Sequence, residues 1–152
     1  MTVETEAKRT SPRVFTFMSE EVEQARGIEP GQRGVEFELP GTEELTARVK
    51  VYIEGGENEM HSHPLEDHIF ACLAGTATFH IERDDNTCEV SANEAVLLPR
   101  GTRYWFTNTG EGNLVMMRLG SGPGARYRLD AAGKEMTSSG VTWKKNEGRV
   151  LA

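Results

Sequence analysis

The stretch Gly55–Gly75 reads GGENEMHSHPLEDHIFACLAG and contains three of the four histidines in the chain. His61 and His63 are two positions apart, so on an extended strand both side chains project from the same face. His68 begins the apolar run that follows, and a turn at Pro64 would bring its side chain to the same point. Three converging imidazoles suit Zn, Fe, Ni, Cu or Mn better than the oxygen-preferring Mg or Ca. The stretch therefore predicts a transition-metal site.

The size and charge of the chain narrow the possible functions. It has 152 residues and a formal net charge of −7, which indicates one acidic domain with a core of its own. There is no basic stripe, so we expect neither nucleic acid nor an anionic membrane as a partner. No apolar run approaches the ~20 residues that a membrane-spanning helix needs. A small molecule is the expected partner.

The N-terminal sequence and the cysteines indicate the cellular compartment. The first residues, MTVETEAKRTSPR, lack the apolar core of a secretory signal, so we expect a cytoplasmic protein. Cys72 and Cys88 both lie in predicted strands. Without an export signal, we expect them to be reduced and buried rather than joined in a disulfide.

Most of the chain shows the alternating pattern of short β-strands. Residues 47–53 alternate, with Val49 and Val51 on one side and Arg48 and Lys50 on the other. Similar short segments follow, separated by turns rich in Gly, Pro and Asn. This spacing predicts an all-β sandwich or barrel.

One of these segments is apolar throughout. Residues 69–73 read IFACL, which predicts a strand buried on both faces, as between a barrel core and a dimer contact. We therefore expect a homodimer.

A short helix is expected before the strands. Ser19 is a suitable N-cap, acidic residues follow it in the first turn, and Gly27 ends the segment. Three regions are predicted: a flexible arm over 1–12, a β-domain over 13–120, and a tail over 121–152 that is either loose or packed on the barrel or on a partner subunit.

The spacing of the histidines resembles the first motif of the cupin superfamily, which consists of small jelly-roll β-barrels with a metal inside. That motif is a Gly, five residues, His-x-His, three or four residues, a Glu, six residues and a Gly. The residues that keep this spacing are Gly55, His61, His63, His68, in the glutamate position, and Gly75.

The second cupin motif is also recognisable. It contains Pro-x-Gly, two residues, a His, three residues and an Asn. Pro99, Gly101 and Asn108 fit, whereas Tyr104 occupies the histidine position. The resemblance implies an all-β cupin jelly roll, with a short N-terminal helix, extending over residues from about 35 to 120.

The resemblance also implies the ligand set, with two departures from the family pattern. The expected metal ligands are His61, His63 and His68, with Tyr104 as a possible fourth ligand. Tyr104 is alternatively a proton donor or substrate contact, or a packed aromatic. A shorter gap in the motif would make Asp67 the carboxylate ligand, but His68 keeps the family's distance to the next glycine.

Other polar residues are weaker candidates. His80 is the first replacement ligand if Tyr104 points away from the interior. Glu66 and Asp67 flank the site and could accept a hydrogen bond from a ligand imidazole. Arg118 could hold a substrate carboxylate, and Arg103 could do so only if Tyr104 faces away from the pocket.

These departures predict the chemistry of the site. Three neutral imidazoles leave a divalent ion with its full formal charge, which makes it a strong Lewis acid toward an enolate, a 1,3-diketonate or a hydroxy acid. We expect one divalent transition metal per subunit, with Fe2+ favoured over Zn2+, Ni2+, Mn2+ or Cu2+. The implied function is a metal-dependent enzyme acting on a small oxygenated substrate that chelates as an enolate or carboxylate.

Among the reactions of histidine-ligated cupins, a dioxygenase is the favoured expectation. The alternatives are a zinc-type polyketide cyclase, lyase or isomerase, and a non-catalytic cupin that binds a metal or small ligand. Oxygen consumption with diketones, thiols or catechols separates the first from the others.

Overall fold

The computed structural model describes residues 11–122, 127–136 and 141–151. Within these ranges the chain forms thirteen strands and one short helix. The elements are β1 (Arg13–Val14), α1 (Glu20–Glu23), β2 (Gly34–Glu38), β3 (Leu45–Tyr52), β4 (Gly56–Ser62), β5 (Asp67–Ala74), β6 (Thr76–Ile81), β7 (Thr87–Ser91), β8 (Ala95–Leu98), β9 (Tyr104–Asn108), β10 (Leu114–Ser121), β11 (Leu129–Asp130), β12 (Thr142–Lys145) and β13 (Arg149–Val150).

Two sheets form the barrel. One has the strand order β12-β2-β3-β10-β5-β8, and the other has the order β11-β4-β9-β6-β7. Strands that are distant in sequence become neighbours, since β10 lies between β3 and β5 and β9 lies between β4 and β6. The β2–β12 pair is parallel, whereas the strands at the centre of both sheets are antiparallel. This is a jelly roll, so the predicted all-β class is confirmed.

The six-stranded sheet has two chemically different faces. Val49 and Val51 of β3 are fully buried on its outer face, where Val22 of the N-terminal segment packs over them. On the inner face, Tyr52 belongs to an aromatic cluster with side chains from both sheets, including Phe79. Lys50 also faces inward and is 6% exposed. The barrel interior therefore combines aromatic and charged groups.

The N-terminal helix forms, but it is shorter than predicted. The Ser19 hydroxyl accepts a hydrogen bond from the Val22 N–H at 3.3 Å, as expected for an N-cap. The helix ends at Glu23, and the backbone then turns through positive φ angles at Ala25 (50°) and Gly27 (81°). No helix in the described ranges is long and apolar enough to cross a membrane.

Of two predictions about burial, the one for Cys88 is wrong, and the one for the outer face of β5 is not tested by a single chain. Phe70 and Cys72 of β5 are buried, but Ile69, on the opposite face, is 39% exposed and pairs with Leu97, which is 63% exposed. Cys88 is exposed rather than buried, and both cysteines are free thiols. A dimer contact on the outer face of β5 stays a prediction.

The described part of the tail packs on the barrel. β11 pairs with β4, β12 runs parallel to β2, and β13 pairs with β1. Residues 1–10 of the predicted arm lie outside the described residues. The region boundaries at 12 and 120 stay predictions.

Candidate metal centre

An irregularity in β4 arranges the centre of the site. Glu57 pairs with Phe106 of β9 and His61 pairs with Tyr104, but the register shifts between these two pairs. Because of this shift, Glu57 and His61 are both buried while the intervening Glu59 is exposed. A strand without the irregularity would place all three on one face.

Glu57, His61 and His63 form a compact group, called here the metal group. One ligand atom from each residue lies within 4.8 Å of the other two. The three residues are 8%, 1% and 7% exposed, respectively. A carboxylate oxygen with two imidazole nitrogens is a donor set that suits divalent transition metals. The structure thus brings His61 and His63 together, as their spacing predicts.

The hydrogen bond of His61 Nδ1 leaves the other ring nitrogen, Nε2, facing a carboxylate oxygen. Its Nδ1 lies 2.8 Å from the Glu59 carbonyl oxygen, which can only accept, so Nδ1 carries the proton. In the neutral ring, Nε2 then presents a lone pair to Glu57 Oε1, 2.8 Å away. Nε2 is buried and makes no hydrogen bond. Two acceptors this close repel one another unless a proton on Nε2 or a metal ion bound to both atoms stabilises the contact.

The other two members of the group have the charge states that metal ligation requires. Burial lowers the pKa of His63 to about 3, against the opposing charge of Glu57, and Nδ1 of His63 is buried without a hydrogen-bond partner. Burial raises the pKa of Glu57, but opposing charges, the Lys50 ammonium first among them, leave the pKa well below its ordinary value. The group therefore offers an ionised carboxylate and a neutral imidazole.

His68 lies beside the metal group but is bound to other partners. Its ring centroid is 4.3 Å from that of His63. The Arg118 guanidinium donates a hydrogen bond from Nη1 to His68 Nε2 at 2.9 Å, and Glu66 Oε1 lies 3.2 Å from the same nitrogen. Burial, followed by the Arg118 charge, lowers the pKa of His68 to about 2. Its Nε2 lone pair is thus engaged, and ligation by His68 stays a prediction.

Tyr104 faces the interior, as its motif position predicts. Its ring centroid is 4.4 Å from that of His61, and the residue is 1% exposed. The hydroxyl is buried without a hydrogen-bond partner. Burial, together with the Glu57 charge, raises the pKa of Tyr104 well above its ordinary value, so the phenol keeps its proton. Its roles as ligand and as proton donor both stay predictions.

The remaining candidates lie away from the metal group. Asp67 is paired with Arg100 on the surface, accepting its backbone N–H at 2.8 Å. His80 stacks on Trp105 with ring centroids 3.7 Å apart. Arg103 forms an exposed ion pair. Of the predicted flanking groups, Glu66 and Arg118 are the ones that reach the interior.

Glu57 is absent from the ligands that the motif spacing predicts. A usable signal exists, because residues 57, 61 and 63 are all odd-numbered and period two places them on one face. The same signal selects Glu59, which the irregularity in β4 exposes. The expectation of a site without a carboxylate is therefore changed: Glu57 places one among the candidate ligand atoms.

Comparison with known proteins agrees with this architecture. The sequence model of the family described as Cupin domain matches residues 48–119. No curated protein matches the sequence significantly.

Several solved structures have the same fold. An uncharacterised conserved protein with a double-stranded β-helix domain from Klebsiella pneumoniae is 20% identical, with a TM-score of 0.61 over 86% of this chain and 97% of that one. Oxalate oxidase in complex with the substrate analogue glycolate is 22% identical, with a TM-score of 0.55 over 68% of this chain. This chain covers 57% of that oxidase, just over half its length.

A third structure names a metal. Oxalate decarboxylase from Bacillus subtilis, described with Mn(II) centres, is 16% identical, with a TM-score of 0.51 over 59% of this chain and 24% of that one. At these identities the likeness extends to the fold alone.

Proposed function

The chain belongs to the cupin superfamily, and from this we propose that it is a metal-dependent enzyme acting on a small oxygenated organic substrate. In this proposal Glu57, His61 and His63 hold one divalent transition metal per subunit. Fe2+ is the first candidate, and Zn2+, Ni2+, Mn2+ and Cu2+ are the alternatives. The Mn(II) centres named for the decarboxylase of the same fold support the inclusion of manganese.

The observation that supports metal binding most directly is the contact between His61 and Glu57. The Glu59 carbonyl keeps the proton on His61 Nδ1, so His61 Nε2 and Glu57 Oε1 meet at 2.8 Å as two acceptors. A divalent ion held by these residues would remove this repulsion, and a backbone carbonyl that accepts a hydrogen bond from the far ring nitrogen is the usual arrangement of a histidine ligand.

The residues around the group have separate tasks in the proposed reaction. A bound metal of this kind supplies a Lewis acid that stabilises a substrate enolate or carboxylate. Tyr104 holds a proton on a buried hydroxyl that has no other partner, and donates it to a substrate oxygen. Phe70, Phe79 and Phe106 are completely buried around Tyr104 and exclude water from the interior. Arg118 holds His68 in a fixed orientation.

A dioxygenase reaction is the activity to test first. A non-catalytic cupin that binds a metal or small ligand is the second candidate. One observation favours it: Tyr104 and each residue of the metal group are no more than 8% exposed. Under the first candidate, substrate has to reach these buried side chains.

We propose in addition that the protein is a cytoplasmic homodimer whose partners are small molecules rather than nucleic acid or membrane. The dimer proposal rests on Ile69 and Leu97, which lie opposite one another on the outer face of the β5–β8 pair. They are 39% and 63% exposed, an apolar area that a second copy would cover.

Metal analysis of the purified and reconstituted protein tests the ligand set. The informative pair is Glu57→Gln beside His68→Ala, because these residues are the rival third ligands. We expect about one metal per chain in the wild type and in His68→Ala, and loss of metal in Glu57→Gln. His80→Ala is the matched histidine control and keeps its metal. Loss in His68→Ala with retention in Glu57→Gln would restore the three-histidine site, and a wild type without metal after reconstitution refutes the proposal.

Oxygen uptake tests the reaction. The iron-loaded protein is assayed with 1,3-diketones, thiols and catechols, and uptake has to disappear in Glu57→Gln. Tyr104→Phe removes the proposed proton donor and is expected to lower the rate by about 10²-fold or more while metal content is unchanged. Absence of uptake with every substrate class, in a protein that binds metal, favours the non-catalytic candidate, and zinc as the native metal favours a cyclase or lyase.

A further inference from the structure

Lys50 lies at the centre of a chain of buried charges inside the barrel. Its Nζ is 2.9 Å from Glu57 Oε2 and 3.4 Å from Glu36 Oε2. The other Glu36 oxygen accepts a hydrogen bond from Arg48 at 3.1 Å. These four residues are each no more than 9% exposed. The ammonium group of Lys50 thus joins the metal group to two residues of the opposite wall.

This ion pair connects the two sheets. Lys50 is on β3 of the six-stranded sheet, directly opposite Glu36 of β2. Glu57 is on β4 of the five-stranded sheet, next to the point where the register of that strand shifts. The register of β4 shifts directly after Glu57, whereas β3 pairs with β2 and β10 without any shift at Lys50. The carboxylate is therefore held from across the interior.

Stability alone does not account for a lysine at this position. Transferring charged groups out of water is costly, and a buried ion pair is frequently no more stabilising than apolar side chains of similar size. The neighbouring interior is aromatic, with the Phe70 ring centroid 5.9 Å from Lys50 Nζ. Apolar residues in place of the whole network of buried charges would fit such surroundings at least as well. The lysine has a more specific consequence, which is its effect on Glu57.

Lys50 determines which oxygen of Glu57 faces the histidines. It occupies Oε2 at 2.9 Å and leaves Oε1 at 2.8 Å from His61 Nε2. We propose that Lys50 is a positioning residue of the metal centre, which orients Glu57 so that one oxygen is presented as a ligand. This inference rests on the proposed function, and Lys50 acts through Glu57 rather than by contact with the metal.

Mn2+ affinity, measured by EPR of the free ion during titration, tests the inference. The proteins compared are the wild type, Lys50→Met, Lys50→Arg, and the control Arg100→Met, which removes a surface cation 56% exposed in its side chain. We expect Mn2+ to bind about tenfold to a hundredfold more weakly to Lys50→Met, in the range found for residues that orient metal ligands. Lys50→Arg recovers part of the affinity, and Arg100→Met is unchanged.

A double variant separates orientation from charge. Lys50→Met leaves Glu36 and Glu57 with a single buried cation, Arg48, whereas Lys50→Met with Glu36→Gln restores equal numbers of buried charges. The double variant also provides a folded protein if Lys50→Met alone is unstable, which circular dichroism establishes. Affinity that stays weak in the double variant supports the inference. Full recovery of wild-type affinity overturns it, because charge balance would then be sufficient.

The EPR spectrum of bound Mn2+ supplies a second readout, which reports the symmetry of the ligands. We expect an altered spectrum in Lys50→Met and in the double variant, and an unchanged one in Arg100→Met. Wild-type affinity and spectrum in Lys50→Met overturn the inference while leaving the proposed function in place. A wild-type protein that binds no Mn2+, Fe2+ or Zn2+ refutes the proposed function itself.

Discussion

Two buried polar clusters lie side by side in this barrel, and they differ in which groups contact their carboxylate and imidazole side chains. The first is the metal group (Glu57, His61 and His63), and the second, called here the arginine cluster, consists of Glu66, His68 and Arg118. In the metal group, two acceptor atoms face each other at 2.8 Å. In the arginine cluster, the guanidinium supplies the cation, with Nη1 at 2.9 Å from the imidazole and 3.7 Å from the carboxylate.

The difference shows that a motif position does not determine what its side chain binds. His68 occupies the position at which the cupin motif has a ligand, yet its Nε2 already accepts a hydrogen bond from Arg118. Glu57 lies outside the ligand positions of the motif, yet its Oε1 lies 2.8 Å from His61 Nε2. The position of the buried cation separates these two carboxylate–histidine pairs. Arg118 contacts the imidazole and lies near the carboxylate of its pair, whereas Lys50 contacts only the oxygen of Glu57 that faces away from the histidine.

The largest effect on stability is expected from removing Arg118, the buried cation of the arginine cluster. Arg118→Met leaves the buried Glu66 carboxylate without its guanidinium, and breaking a buried pair in this way costs about 3–5 kcal/mol in the free energy of unfolding. Urea denaturation measures the loss. Arg100→Met, which removes an exposed partner of Asp67, is the matched control and costs about 1 kcal/mol or less. A similarly small cost for Arg118→Met would contradict the assignment of an internal cation to the second cluster.

The second largest effect is expected from bound metal, which should stabilise the folded protein through the metal group and not through the arginine cluster. A ligand present at 100 times its dissociation constant stabilises the folded state by about 2.7 kcal/mol. Excess metal should therefore raise the melting temperature of the wild type and of Glu66→Gln, which alters the arginine cluster. The same metal should leave His63→Ala unchanged, because that variant lacks a member of the metal group. Equal stabilisation of both variants would show that the metal binds elsewhere.

The smallest expected effect concerns the packing of the arginine cluster. A Cβ at Gly120 would collide with Glu66 Oε1 and would lie 2.7 Å from Thr46 Oγ1. Gly120→Ala therefore forces both side chains to move, at a cost of about 1–3 kcal/mol in the free energy of unfolding. Its metal affinity should stay within about twofold of the wild type, since the three atoms nearest to the new methyl belong to Glu66, Thr46 and His68 rather than to the metal group. A large loss of affinity would indicate that the two clusters are coupled.

The fold could be predicted because its signals are local. Alternation of apolar and polar residues defined β3, and turn glycines and prolines separated the later strands. The differences in burial arose because the alternation of residues along a strand does not tell which of its two faces the rest of the protein covers. Ile69 and Cys88 lie in strands as predicted, but nothing within the single chain covers their side chains fully. Periodicity tells which residues share a face, and the neighbours of that face determine its burial.

The candidate metal centre likewise has one part that the sequence determined and another that only the tertiary structure determined. The spacing of two between His61 and His63 by itself determined that both imidazoles would meet, because it depends only on the geometry of an extended strand. Tertiary structure alone decided the rest: the register shift buries Glu57 and exposes Glu59, Lys50 reaches Glu57 from the other sheet, and Arg118 reaches His68 across 50 positions of sequence. Such pairings depend on where two sheets place their inner faces, and no local pattern encodes that distance.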